Sequence, residues 1–172
     1  MYADYIVAYY LDHSPKLPFS FNEITYVHIV DKYVNNKSTY LLPTEIQYHK
    51  DNVNKLRPFL PGNIMPNIVT RDFNGQEHSL YKVKNKYTVL YFFSSTCESC
   101  KKNLDVLEDF YKNKSKDMDV EVFCIDLEED EAVCKARQEA HPFPWIVTHS
   151  TTKALEQYGF NLDHTPEIYI LD

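Results

Sequence analysis

The stretch Tyr87-Thr88-Val89-Leu90-Tyr91-Phe92-Phe93 runs almost directly into Ser95-Thr96-Cys97-Glu98-Ser99-Cys100. Its residues are β-branched or aromatic nearly throughout, which suits a strand buried on both faces. Beyond Cys100, the apolar residues Leu104, Leu107, Phe110 and Tyr111 recur at helical spacing with Lys and Asp between them. The dithiol therefore falls at a strand-to-helix junction, on the N-terminus of the helix. The free N–H groups and partial positive charge of that end stabilise a thiolate on the first cysteine. Two cysteines separated by two residues on one turn can also close a small, reversible disulfide. That is the chemical requirement for thiol–disulfide exchange.

Half of a zinc site has the same spacing, but a structural zinc ion needs two further ligands. The other cysteines are Cys124, inside Glu121-Val122-Phe123-Cys124-Ile125-Asp126, and Cys134, on a helix expected over 129–140. Cys124 reads as a small core hydrophobe of a second buried strand. Cys134 suits either a core or a half-exposed position. Neither is assigned a role, and no metal or organic cofactor is expected. The net charge of −7 argues against nucleic acid as a partner, because phosphate binding needs a cationic surface. With 172 residues, 44% of them hydrophobic, the chain is long enough for a sizeable core, as one domain or as a domain plus an appendage. No apolar run approaches the roughly 18–20 residues of a membrane span. Met1-Tyr2-Ala3-Asp4 lacks the basic start of a secretory leader, as a mature domain also would.

Residues 1–60 read as a helical N-terminal segment and residues 61–172 as an α/β domain. Tyr2 to Leu11 forms an aromatic-rich helix that ends near Ser14-Pro15. Asn22 is expected to cap a second helix carrying Ile24, Val27, Val30 and Tyr33, closed by Asn35-Asn36. Pro43 opens a third, with Ile46, Val53 and Leu56 on one face. His28 and His49 read as ordinary helix histidines. Past Leu60-Pro61-Gly62 the period changes from 3.6 to 2. An extended Pro66–Thr70, the turn Asp72-Phe73-Asn74-Gly75 and a strand from Gln76 to Val83 form a hairpin. Strand 119–125, helix 129–140, a short strand at Trp145-Ile146-Val147 and a helix at 153–158 follow, an alternation that implies parallel pairing. The acidic cluster Asp126, Glu128, Glu129, Asp130, Glu131 reads as a solvated helix start. His141-Pro142-Phe143-Pro144-Trp145 reads as a stiff packing corner.

Near the end, Pro166 opens the apolar strand Glu167-Ile168-Tyr169-Ile170-Leu171. A proline offers no donor to a ladder, so it marks either a trans start on an edge strand or a cis-proline loop. The order strand, Cys-x-x-Cys, helix, then Thr165-Pro166 and strand favours the second. A cis Thr165–Pro166 bond turns the Thr165 backbone toward the sulfurs and leaves it free to pair with an extended substrate segment.

On these motifs, together with Gly62-Asn63-Ile64-Met65-Pro66-Asn67-Ile68 and Asp72 to Gly75, residues 62–172 resemble the thioredoxin superfamily. The resemblance is to the TlpA/ResA-type thiol–disulfide oxidoreductases of the bacterial envelope. The helical segment resembles what precedes such domains in Bacteroides-type bacteria. The resemblance implies a thioredoxin-like fold, a central mixed sheet flanked by helices. It implies Cys97 as nucleophile, Cys100 as buried resolving cysteine and Pro166 as cis-proline, with Thr96 and Thr165 at the substrate. Protein thiols and disulfides would be the substrates, a further thiol protein the electron donor, and the periplasm or cell envelope the compartment.

Three departures from the family stand out. Thr96 occupies a position usually held by Trp. Tyr91 stands where thioredoxin keeps a buried acid, so proton transfer at Cys100 needs another group, Glu167 being near in sequence. The family continues past Asp172 with another strand and a helix, so the chain reads as cut short there. Glu98 disfavours a neighbouring thiolate, whereas Lys101, Lys102 and the helix end favour it. Three other functions fit the same framework. One is a peroxidase, although the Pro-x-x-x-Thr-x-x-Cys loop of the peroxiredoxins is missing. Another is a copper carrier using His141 or His164, and the third is a non-enzymatic binding module.

Overall fold

The computed structural model describes residues 2–13, 21–34 and 40–172. The chain divides into two compact units, Met1–Met65 and Pro66–Asp172. Among the described residues no helix is long and apolar enough to cross a membrane.

The first unit holds three helices, α1 (Tyr2–His13), α2 (Phe21–Tyr33) and α3 (Pro43–Leu56). Leu11, Val27, Val30, Val34, Ile46 and Val53 form its buried core. Pro43 sits in the first turn of α3, and the Leu42 N–H donates to Glu45 Oε2 at 2.7 Å. Helix α2 begins at Phe21, one residue before the Asn22 expected to cap it. Its buried stripe also differs from the expected one, because Ile24 and Tyr33 are exposed while Val34 is buried. Each residue turns the helix by about 100°, so positions nine apart lie on opposite sides. Ile24 and Tyr33 therefore cannot both face the side that Val27 and Val30 bury. The expected stops at Ser14-Pro15 and Asn35-Asn36 lie outside the described residues.

The second unit is a six-stranded mixed sheet with helices packed on it. Its elements are β1 (Val69–Arg71), β2 (Glu77–Ser79), β3 (Tyr87–Phe93), α4 (Glu98–Met118), β4 (Val120–Asp126), α5 (Glu131–Ala140), β5 (Ile146–His149), α6 (Thr152–Leu155) and β6 (Glu167–Leu171). The strand order is β2-β1-β5-β4-β3-β6. Strands β3, β4 and β5 are parallel, whereas β6 runs antiparallel to β3 and β1 antiparallel to β5. The hairpin turn forms at Asp72–Gly75, where Asp72 Oδ1 accepts from the N–H groups of Asn74 and Gln76. Gly75 takes φ +82° there, a conformation that favours glycine. Strand β2 is shorter than expected. The chain leaves it in a 3-10 turn, Leu80–Lys82, with Leu80 buried and its N–H bonded to the Ile68 carbonyl.

Strand β3 spans the expected residues and is buried on both faces. Alternate side chains go to opposite sides of a strand. Tyr91 and Phe93 join Val122, Cys124 and Val147 in one cluster with Leu104 and Cys100 of α4. Phe92, on the other face, packs against Phe160 and Tyr169. The parallel register of β3 and β4 sets Phe93 opposite Asp126. The loop leaving β3 and the residues leaving β4 thus emerge side by side, at the strand ends where parallel sheets place their sites. Strand β6 brings Glu167 opposite Phe92, so Pro166 reaches the same end of the sheet.

Candidate active site

Helix α4 starts at Glu98, and Cys97 is its N-cap. The Cys97 backbone is extended, and its Sγ accepts the Cys100 N–H at 3.2 Å. An N-cap acceptor satisfies one of the orphan donors of the first turn, and sulfur replaces the usual oxygen here. Cys97 and Cys100 are joined as a disulfide, with their Cα atoms 5.2 Å apart. Cys97 is half-buried, whereas Cys100 is fully buried beneath it. An incoming thiolate therefore meets Cys97 first.

Opposite the pair, the Thr165–Pro166 peptide bond is cis. The Thr165 carbonyl oxygen lies 3.8 Å from Cys97 Sγ. Ser99 Oγ lies 3.2 Å from the same sulfur and, with the sulfurs bonded to each other, is the donor of that pair. Cys97, Cys100, Thr165 and Pro166 thus meet at one end of the sheet. Thr96 is exposed at the edge of this group, with its hydroxyl donated to Glu128 Oε2 at 2.6 Å.

Glu167 accepts a short hydrogen bond from the Tyr169 hydroxyl. Tyr91, at the position of the missing acid, donates its hydroxyl to the Cys100 carbonyl at 3.3 Å. His141 is engaged by Glu108 of α4 at 3.0 Å, and His164 is exposed. Among the described residues no three His, Cys, Asp or Glu side chains gather as a metal would need.

The two remaining cysteines are buried. Burial pushes the Cys124 thiol far up, and burial together with the nearby Asp126 pushes Cys134 up to about 12. Neither forms a thiolate at neutral pH.

The acidic cluster departs most from expectation. Asp126 is not a solvated helix residue: it is 2% exposed and closes β4. Its carboxylate accepts the Ser95 N–H at 3.0 Å, the Ser95 hydroxyl in a short bond, and the Glu128 N–H at 3.1 Å. Glu128 accepts the hydroxyls of Ser94 and Thr96. Asp130 is the N-cap of α5 and only there does the helix begin, with Glu131 in its first turn. A signal for this was present in the sequence. Ser94, Ser95 and Thr96 are three consecutive hydroxyl residues between a buried strand and the dithiol, and they need acceptors.

Burial pushes Tyr91 up to about 12, with Cys124 adding to it, and pushes Tyr111 up to about 12, with the Glu121 carboxylate 3.0 Å from its hydroxyl adding to it. A raised phenol stabilises the fold at every pH below its unfolded value near 10. That contribution is lost as the pH rises from there toward about 12. In an ultraviolet phenolate titration, Tyr91 and Tyr111 should ionise after the exposed tyrosines and together with loss of the far-ultraviolet circular dichroism. Full ionisation of all tyrosines by about pH 11 with the fold intact would contradict both assignments.

Residues 61–172 match the model of the AhpC/TSA family. The chain belongs to that family. Among curated proteins, the thiol-disulfide oxidoreductase ResA of Bacillus cereus is 27% identical over 113 residues. That alignment covers 64% of this chain and 63% of ResA, so the chain spans less than two thirds of that relative's length. Among solved structures, a thioredoxin-like protein from Bacteroides caccae superposes with a TM-score of 0.73 at 19% identity. It covers 87% of this chain and 55% of its own. A thiol:disulfide interchange protein from Bacteroides sp. gives a TM-score of 0.58 at 23% identity, over 66% of this chain and 75% of its own. At these identities the structural likeness is one of fold, and it makes this AhpC/TSA member thioredoxin-like.

Proposed function

We propose that the chain is a thiol–disulfide oxidoreductase, its chemistry carried by residues 61–172 and residues 1–60 forming a helical prefix. The observation that supports this most directly is the Cys97–Cys100 pair at the N-terminus of α4, facing the cis Thr165–Pro166 bond. In the reducing direction the Cys97 thiolate attacks one sulfur of a substrate disulfide. A bond forms between Cys97 Sγ and that sulfur, and the other substrate sulfur leaves as a thiolate and takes up a proton. Cys100 then loses its proton and attacks Cys97 Sγ, expelling the second substrate thiolate. Two electrons pass to the substrate, and the Cys97–Cys100 disulfide remains. A further thiol protein restores the dithiol by the reverse sequence. No cofactor enters either half.

The substrates proposed are disulfides of envelope proteins, with the periplasm or cell envelope as the compartment where such bonds persist. Thr165 offers backbone groups to an extended substrate segment, Thr96 borders the same surface, and Pro166 holds the turn between them.

The reading is tested by titrating the intact chain in thiol–disulfide buffers, alkylating free thiols and reading the mass shift at Cys97 and Cys100. The expected result is one two-electron transition between about −120 and −300 mV. A pair locked in one state across that range would leave a non-enzymatic binding module. A Cys97 consumed by peroxide faster than by disulfides would indicate a peroxidase.

A further inference from the structure

We propose that Glu128 is a positioning residue for Cys97, holding the nucleophile's loop through the hydroxyls of Ser94 and Thr96. The proposal rests on the exchange reading only for the chemistry that the positioning serves.

Both hydroxyls converge on one oxygen: Ser94 Oγ lies 2.9 Å and Thr96 Oγ1 2.6 Å from Glu128 Oε2. An ionised carboxylate only accepts, so both hydroxyls donate to it. The 3.0 Å contact between the two hydroxyls then carries no proton of its own. Ser94 Oγ keeps its acceptor side for the Thr96 N–H, at 3.3 Å. These bonds hold the Glu128 carboxyl below the usual carboxylate range, Thr96 contributing most and Ser94 next, so the acceptor is ionised at neutral pH.

Glu128 is itself fixed to the sheet. Its N–H donates to Asp126 Oδ1 at 3.1 Å, and its carbonyl lies 2.8 Å from His149 Nε2 at the end of β5. Asp126 meanwhile holds Ser95. All three residues between the end of β3 and the nucleophile are thus tied to carboxylates on the neighbouring strand's exit. The tie reaches Cys97 directly, because the Cys97 N–H donates to the Ser94 carbonyl at 3.0 Å. The N-cap geometry of Cys97 Sγ, which favours its thiolate, depends on where this loop sets the residue.

Glu128 acts on Cys97 in two opposed ways, and their signs separate them. Its negative charge disfavours a nearby thiolate, so removing the charge alone lowers the Cys97 titration midpoint. Its acceptor role positions the loop, so removing the acceptor raises the midpoint. The decisive experiment follows alkylation of Cys97 by iodoacetamide against pH in the reduced full chain, with urea unfolding run in parallel. Glu128→Ala should raise the midpoint by about one unit, slowing alkylation at neutral pH about tenfold. Glu128→Gln keeps an acceptor oxygen without the charge and should leave the midpoint at or below that of the wild type. Thr96→Val should shift it in the same direction as Glu128→Ala, and combining the two should add nothing further.

Equal lowering by Ala and Gln would mean that Glu128 acts by charge alone, and the proposal fails. An unmoved midpoint in both variants sinks it equally. If Glu128→Ala does not fold, Thr96→Val against Glu128→Gln decides by the same signs. Alkylation needs no disulfide substrate. A wild type that obeys this pattern yet shows no transition in redox buffers would overturn the exchange reading and leave the positioning role standing.

Discussion

Cys100→Ser is expected to convert the protein from a catalyst into a trap. Cys97 is half-buried and sits at the start of α4, so its thiolate still reaches a substrate disulfide. The mixed disulfide then has no internal thiol to resolve it. One substrate molecule should remain attached per protein, visible as a single mass increment that a reductant removes, and turnover of a disulfide substrate should fall to background. Cys97→Ser should give neither adduct nor turnover, because Cys100 is fully buried and no substrate sulfur reaches it. An adduct on Cys100 in that variant would reverse the two roles. Continued turnover by Cys100→Ser would rule out resolution by the second cysteine.

Asp126→Ala should be the most damaging substitution outside the apolar core. It removes one buried acceptor and leaves the Ser95 and Glu128 N–H groups and the Ser95 hydroxyl without it. A donor left unsatisfied costs about 1–3 kcal/mol when fully buried; these two backbone donors are part-buried, so together they predict a loss of about 2–4 kcal/mol. Domains are stable by only about 5–15 kcal/mol, which makes this a loss that urea unfolding resolves easily. Asp126→Asn retains an acceptor oxygen and should lose less than half as much. A drop below about 1 kcal/mol for the alanine variant would show that water replaces the carboxylate freely.

The parts of this fold that were legible in sequence are those in which one pattern has one physical meaning. Tyr87–Phe93 admits only a buried strand. The proline opening the apolar strand at Glu167 left two readings, a trans edge start or a cis loop, and the peptide bond is cis. The cysteine pair lies at the strand-to-helix junction where its spacing put it. What escaped the sequence were features whose meaning depends on a partner far along the chain. An acid after a strand looks the same whether it faces water or a loop 31 residues earlier, as Asp126 faces Ser95. Only the in-register pairing of β3 with β4 decides between them. The stripe on α2 failed for a different reason. A run of i, i+3 steps drifts around the helix, so Ile24 and Tyr33 fit the spacing rule locally and break it over the full length. The short β2 was overestimated because apolar Leu80 is equally at home in a strand or in the buried first position of a 3-10 turn.

The register that sets Phe93 beside Asp126 also governs how the molecule breathes. Amide protons in surface loops ordinarily exchange with solvent through small local openings, whereas those of a central strand wait for global unfolding. The Ser95 amide lies in a loop, yet its acceptor is a carboxylate on one of the innermost strands. It should therefore exchange on the timescale of the sheet. The segment that leads into Cys97 is in this sense an outlying part of the sheet's cooperative unit.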